Sequence, residues 1–191
     1  MSRTLAEKIL ARAAGRAAVT PGEIVNCRVD LAMFHDSSGP RRLKPMLEDH
    51  GLIGMVEPLG FEICALRYKA EAVEGIEAVG GKGRFKLVHD TFHHHLAGDA
   101  RLFPARTGLV HVSGVEDTAL APDAMRDGHR VLVGPGDRLD STGQLRALLD
   151  AGYAGLVSFE PFADVIGRAA DIEAQLRASM AHLRAAIGQP G

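Results

Sequence analysis

Tryptophan is absent from this sequence, cysteine occurs twice, and aromatic residues make up only 5% of it. Cys27 and Cys64 stand in separate apolar contexts without the close spacing of a zinc or redox motif, so a structural thiolate centre is not expected and both read as buried, reduced thiols. An excess of charge of one sign is also lacking. The 22 basic and 24 acidic residues nearly balance, at a net charge of −2, and no basic run is present to neutralise phosphates or anionic lipid. No apolar stretch approaches the roughly 20 residues that a membrane helix needs, and the segment after Met1 is amphipathic rather than a signal-peptide core. The expectation is therefore a cytoplasmic protein with no nucleic-acid and no membrane partner. What the sequence does have is 46% hydrophobic content over 191 residues, enough for one core and for one domain or one and a half.

Along the chain, Leu5, Ile9, Leu10 and Ala13 fall at helical spacing within 4–14, and Gly15 is suited to end that helix. Pro21 and Gly22 read as a turn. Residues 23–34 mix apolar and polar side chains as a strand or pair of strands does, followed by a polar loop at 35–40 and a short helix over 42–50. Beyond Gly51 the pattern becomes an α/β alternation. The apolar runs LIGMV, FKLV, GLV and GLVSF are separated by stretches with helical character at 68–79, 92–97, 142–151 and 170–187. Gly80-Gly81-Lys82-Gly83 lacks the full spacing of a phosphate-binding loop and precedes a strand, so it reads as an ordinary loop.

Each of the four apolar runs leads to a residue that can bind a metal: Glu57, Asp90, His111 and Glu160. Parallel strands of a β/α barrel present their C-terminal ends on one face, where such residues converge. The alternative, that these are simply the polar boundaries of strands, stays open at this point. Three carboxylates and one imidazole form an oxygen-rich donor set that suits a divalent cation in an open site, Mn²⁺ first, then Mg²⁺, Co²⁺ or Zn²⁺.

Specific segments carry a resemblance. Val56-Glu57-Pro58-Leu59-Gly60, His89-Asp90-Thr91-Phe92-His93, Val110-His111-Val112-Ser113-Gly114, Asp127-Gly128-His129-Arg130 and Ser158-Phe159-Glu160-Pro161-Phe162 occur in order, with 33, 21 and 49 residues between successive candidate ligands. From about Gly51 onward the chain resembles the latter half of xylose-isomerase-like TIM-barrel proteins, among them inosose isomerases, inosose dehydratases and ketose 3-epimerases.

The resemblance implies an α/β fold, the C-terminal half of a (β/α)8 barrel over 51–191, behind an N-terminal α/β appendage over 1–50. It implies that Glu57, Asp90, His111 and Glu160 ligate the metal, that Glu57 and Glu160 also move protons, and that His93 and Arg130 contact substrate. The implied activity is a metal-dependent isomerase of sugar or inositol ketones working through a metal-stabilised enediolate. The same site also serves epimerisation or dehydration, depending on where the proton returns and whether a β-hydroxyl leaves. Residues 129–137 with Gly143-Gln144-Leu145 most resemble the inosose isomerase pattern, which implies a polyol ketone substrate.

Neighbouring residues on a helix are rotated by about 100°, so of His93, His94 and His95 only one is expected at the site. His94 and His95 go to packing or solvent. His89 precedes Asp90 and should face the other side of its strand. Glu62 and Arg67, close after Glu57, have two readings, as residues lining the pocket or as an ordinary surface salt bridge, and the salt bridge is the one expected.

The front of the chain carries a second resemblance. Thr4-Leu5-Ala6-Glu7-Lys8-Ile9-Leu10, Pro21-Gly22-Glu23-Ile24-Val25 and Asp30-Leu31 leading to His35-Asp36-Ser37-Ser38-Gly39-Pro40 resemble the opening of aconitase-family hydro-lyases, including isopropylmalate dehydratase large subunits. That would give His35, Asp36 and Ser38 a part in a substrate pocket. Those enzymes hold an iron–sulfur cluster on three cysteines, more than Cys27 and Cys64 supply. A structural appendage or fusion remnant is thus expected rather than a hydro-lyase fragment. Four barrel strands leave two open sheet edges, which a homodimer or the N-terminal segment would cover. A catalytically inactive barrel fragment serving as a binding or assembly module is the non-enzymatic alternative.

Overall fold

The computed structural model describes residues 3–29, 31–33 and 40–188. The loop residues His35, Asp36 and Ser38, to which the hydro-lyase resemblance assigned a role, lie outside them. Among the described residues the chain builds one five-stranded parallel sheet in sequential order, β1 (Leu31–Met33), β2 (Ile53–Val56), β3 (Phe85–Asp90), β4 (Thr107–Val112) and β5 (Leu156–Phe159). Helices α2 (Pro40–Asp49), α3 (Lys69–Ala78), α4 (Thr91–Ala97) and α5 (Ser141–Asp150) fall between successive strands, and α6 (Asp164–Gly167) and α7 (Ile172–Ala186) follow β5. Such repetition of βα units with neighbouring parallel strands is the wall of a β/α barrel.

The N-terminal helix α1 (Leu5–Ala13) starts at a capping box, in which Thr4 accepts from the backbone of Glu7 and Glu7 reaches back to Thr4. Gly15 follows with φ of +64°, a conformation glycine adopts without steric cost. The strand expected over 23–34 is much shorter. Among the described residues of this segment only Leu31–Met33 pairs, in parallel with Ile53, Gly54 and Met55 of β2, because 23–29 runs outside the sheet with Ile24 97% exposed. The front segment therefore supplies the edge strand of the sheet. Cys27 and Cys64 are not joined in a disulfide, and both are half-buried rather than buried.

The sheet separates two apolar layers. On the helix-covered side Leu43 and Leu47 of α2, Ala72 and Ile76 of α3, and Phe85 and Leu87 of β3 form one cluster. Val110 and Val112 of β4 with Leu145, Leu148, Tyr153 and Leu183 form another. On the opposite face Met55, Val88 and Leu109 pack together. Phe92, Val115, Met125 and Leu139, all from segments that follow the strands, form a further buried cluster. Strand β5 departs from this pattern. Its residues are exposed on both faces, Leu156 by 73% and Val157 by 42%, whereas parallel strands are normally covered on both.

Candidate metal centre

Side chains of a strand alternate between its faces, and this periodicity builds the site. Met55, Val88 and Leu109 form an apolar layer on the inner face, and two residues further along each strand stand Glu57, Asp90 and His111. Glu160 holds the corresponding place beyond β5, where its backbone N–H donates to Val112 O at 2.9 Å and continues the pairing. One ligand atom from each of these four residues lies within 4.8 Å of the others.

Asp90 has two tasks. It ends β3 and caps α4 without an intervening loop, and its Oδ1 accepts from Phe92 N at 2.7 Å and His93 N at 3.0 Å. This leaves Oδ2 turned toward the other ligands, 3.9 Å from His111 Nδ1. The same imidazole nitrogen lies 3.3 Å from Glu57 Oε1 and 3.2 Å from Glu160 Oε2.

Arg130 closes the cluster from behind. It is 1% exposed, and its Nη2 donates to Asp90 Oδ2 at 2.5 Å and Glu160 Oε2 at 2.8 Å, its Nη1 to Asp127 Oδ1 at 3.0 Å, and its Nε to Ser113 Oγ at 3.1 Å. The rings of Phe92 and Phe162 each lie 4.9 Å from the guanidinium carbon, a cation–π arrangement that fixes its plane. The motif containing Arg130 pointed to the site. Its buried, carboxylate-orienting geometry carried no sequence signal, and neither did the aromatic pair around it.

The electrostatics are those of a site with too much negative charge. Burial disfavours the Asp90 carboxylate and raises its pKa, with Glu57 adding to the effect and Arg130 opposing it. Burial would lower the His111 pKa, but hydrogen bonds to Glu160 and Glu57 overcome this and push it from 6.5 to about 10. Burial would likewise raise the Glu160 pKa, yet the His111 and Asp90 hydrogen bonds hold it down. A proton on His111 thus supplies positive charge where several carboxylate oxygens meet. With His111 neutral, three carboxylates and Arg130 sum to two negative charges, which a divalent cation balances. The donor set, its spacing and this charge fit such an ion.

His93 lies beside the cluster on α4, 5% exposed, with its Nδ1 without a hydrogen-bond partner. Burial and then Arg130 lower its pKa to about 4, so the ring is neutral. His94 turns away to Lys69 Nζ at 2.7 Å. His89 faces the helices, as its strand position implied, and joins Lys69 Nζ at 2.8 Å to Gln144 Oε1 at 2.9 Å. Lys69 was not anticipated. It is 5% exposed, and burial lowers its pKa to about 7. Its partners lie 20 and 25 residues away, so no local pattern announces them. Glu62 and Arg67 do not form the expected salt bridge. Arg67 instead donates to Gly60 O at 3.0 Å and Leu96 O at 3.1 Å.

A half-barrel sheet with three carboxylates and an imidazole at the strand ends defines an α/β protein with a candidate metal site. Residues 11–186 match the family described as xylose isomerase-like TIM barrel, and the chain belongs to that family. A xylose isomerase domain-containing protein from Salmonella typhimurium LT2 is 35% identical, with a TM-score of 0.69 over 75% of this chain and 54% of that one. The IolI protein, solved with a bound zinc atom, shares the fold at 22% identity, with a TM-score of 0.63 over 78% of this chain and 53% of that one. The chain therefore spans about half the length of these solved structures. Its N-terminal part gives short matches to isopropylmalate dehydratase large subunits. The subunit from Aquifex aeolicus is 41% identical over 58 residues, 30% of this chain and 13% of that one.

Proposed function

We propose that the chain is a divalent-metal-dependent isomerase of sugar or inositol ketones, with polyol ketones of the inosose type as its substrates. The observation that carries this reading is the convergence of Glu57, Asp90, His111 and Glu160 within 4.8 Å at the strand ends of a xylose isomerase-like barrel sheet. The zinc atom bound by the IolI protein supports a divalent ion, and the oxygen-rich donor set favours Mn²⁺. Such an ion would polarise the substrate carbonyl and stabilise the negative charge that develops on its oxygen.

Proton transfer falls to Glu57 and Glu160. Their side chains are 18% and 26% exposed, whereas Asp90 is 0% and His111 6% exposed, so a substrate carbon can approach only the two glutamates. One carboxylate removes the C–H proton beside the carbonyl and a proton is returned to the former carbonyl carbon, while the hydroxyl proton passes to the former carbonyl oxygen, so that ketone and alcohol exchange places. His93 offers a neutral ring to a substrate hydroxyl. A buried polar atom without a partner costs about 1–3 kcal/mol, and the orphaned Nδ1 supports a ligand contact at this ring. Arg130, for which the resemblance implied substrate contact, acts in this reading through Asp90 and Glu160, since its guanidinium already binds them.

Calorimetric titration with Mn²⁺ tests the site. Tight binding at one ion per chain and clear weakening in Glu160→Gln are expected, and equal affinity in both contradicts it. Solvent-deuterium incorporation into an inosose tests the reaction. The two-sided exposure of β5 favours a second reading, a barrel fragment that binds metal and serves assembly without turnover, and metal binding with no deuterium incorporation selects it. The two cysteines of this sequence do not by themselves supply the three thiolates of an aconitase-type cluster.

A further inference from the structure

Beside the metal centre runs an open groove of about 490 Å³, formed by Gly60, Phe61, Glu62, Ile63 and Arg67 on one loop and by Pro122, Asp123, Arg126 and Asp127 on another, with Leu96 of α4 also lining it. None of the four candidate ligands lines it. The groove nevertheless adjoins the site at two places. The Phe61 ring stands edge-on to His93 with centroids 5.2 Å apart, and Asp127 pairs with Arg130, which holds Asp90 and Glu160.

The polar groups of this groove are unusual in their pairing. Arg67 is tied by Nε and Nη2 to the main-chain oxygens of Gly60 and Leu96. Arg126 is tied by Nη1 to those of Asp123 and Met125, at 2.8 and 2.6 Å. Neither guanidinium forms an ion pair among the described residues, although Glu62, Asp123 and Asp127 line the same groove. Each fork is thus held by backbone while its remaining N–H groups are left for another acceptor. Two guanidinium and three carboxylate groups are a poor match for an anion, because the carboxylates would repel it. They suit a neutral ligand rich in hydroxyls, each of which both donates and accepts. Phe61, Leu96 and Pro122 supply the apolar surface on which the C–H face of a sugar ring packs, and a cleft of this volume exceeds what a single ketose at the metal centre fills.

We propose that this groove binds a second sugar ring, joined glycosidically to the ketone held at the metal centre, so that glycosides of these ketones bind more tightly than the free ketones. The inference rests on the proposed metal centre and names the substrate class of that site. Calorimetric titration of the Mn²⁺-loaded protein with D-fructose, with the disaccharide 6-O-glucosyl-fructose and with fructose 6-phosphate tests it. The disaccharide is expected to bind at least about tenfold more tightly than fructose, and in Arg126→Ala and Asp123→Ala the ratio of the two affinities should fall toward one. Equal affinity for fructose and the disaccharide overturns the groove while leaving the metal-centre reading intact. Tighter binding of the phosphate than of the disaccharide assigns the groove to an anion and also overturns the proposal. Failure of all three sugars to bind an Mn²⁺-loaded protein overturns both readings, and a ratio unchanged in both variants overturns the groove alone.

Discussion

Arg130 Nη2 lies 2.5 Å from Asp90 Oδ2, and both side chains are essentially closed to solvent. This contact joins a helix-capping residue to a buried guanidinium that also bonds a second carboxylate of the cluster, Glu160. Removing one partner of a buried pair leaves the other uncompensated, at a cost of about 3–5 kcal/mol. Arg130→Ala should therefore lower the stability of the metal-free protein by that amount in urea unfolding. Saturating Mn²⁺ should restore much of the loss by supplying charge to the same oxygens, on the order of 2.7 kcal/mol at a hundredfold excess over Kd. Instability that Mn²⁺ leaves unchanged would mean that Arg130 acts only by packing.

The state of His111 gives a pH prediction. Its folded pKa, about 10, lies above its ordinary 6.5. The stabilisation from its pairing is therefore fully present below about 6.5 and lost as pH rises through about 10. Glu160 is shifted downward, so its contribution is present above its ordinary 4.5 and lost as pH falls below the carboxylate range. An ion can use His111 Nδ1 only after its proton leaves. At pH 8, Mn²⁺ binding should release about one proton from this residue, read from binding heats in buffers of different ionisation enthalpy. Heats independent of buffer would remove His111 from the ligand set.

Gly60 controls how closely the loop after β2 approaches α4. A Cβ there would stand 2.0 Å from His93 O and 2.9 Å from Ala97 N, backbone atoms that cannot move aside. Gly60→Ala should cost about 1–3 kcal/mol and shift His93, weakening sugar binding more than Mn²⁺ binding. Wild-type stability with unchanged sugar affinity would contradict this packing.

The open edges lead to a prediction about assembly. Strand β5 has no partner beyond it among the described residues, and a two-fold axis along the barrel would set it parallel to β1 of a second copy. We expect a homodimer in solution, read by size-exclusion chromatography with light scattering. A stable monomer with native-like circular dichroism would contradict it.

Much of this architecture was legible because parallel strands and metal ligands leave local marks. The runs before Glu57, Asp90, His111 and Glu160 mark the strand ends, and the spacing of Leu5, Ile9, Leu10 and Ala13 with Gly15 beyond them marks α1. The strand over 31–33 was overextended to 23–34, because mixed polarity does not distinguish a strand from an extended segment lying outside the sheet. Arg130 and Lys69 were harder. A buried cation is defined by partners distant in sequence, such as Asp90 and Glu160 for Arg130, or His89 and His94 for Lys69. For Arg67 the pocket-lining reading agrees with its place in the groove and the salt bridge does not form, since its partners are main-chain oxygens, which any residue offers.

The central claim is that Glu57, Asp90, His111 and Glu160 hold one divalent ion. Anomalous diffraction from crystals grown with Mn²⁺ tests it most directly. The account predicts a single strong peak at roughly 2.0–2.4 Å from one donor atom of each residue. A cluster without a peak in crystals that bind Mn²⁺ elsewhere, with His111 still hydrogen-bonded to Glu57 and Glu160, would contradict it.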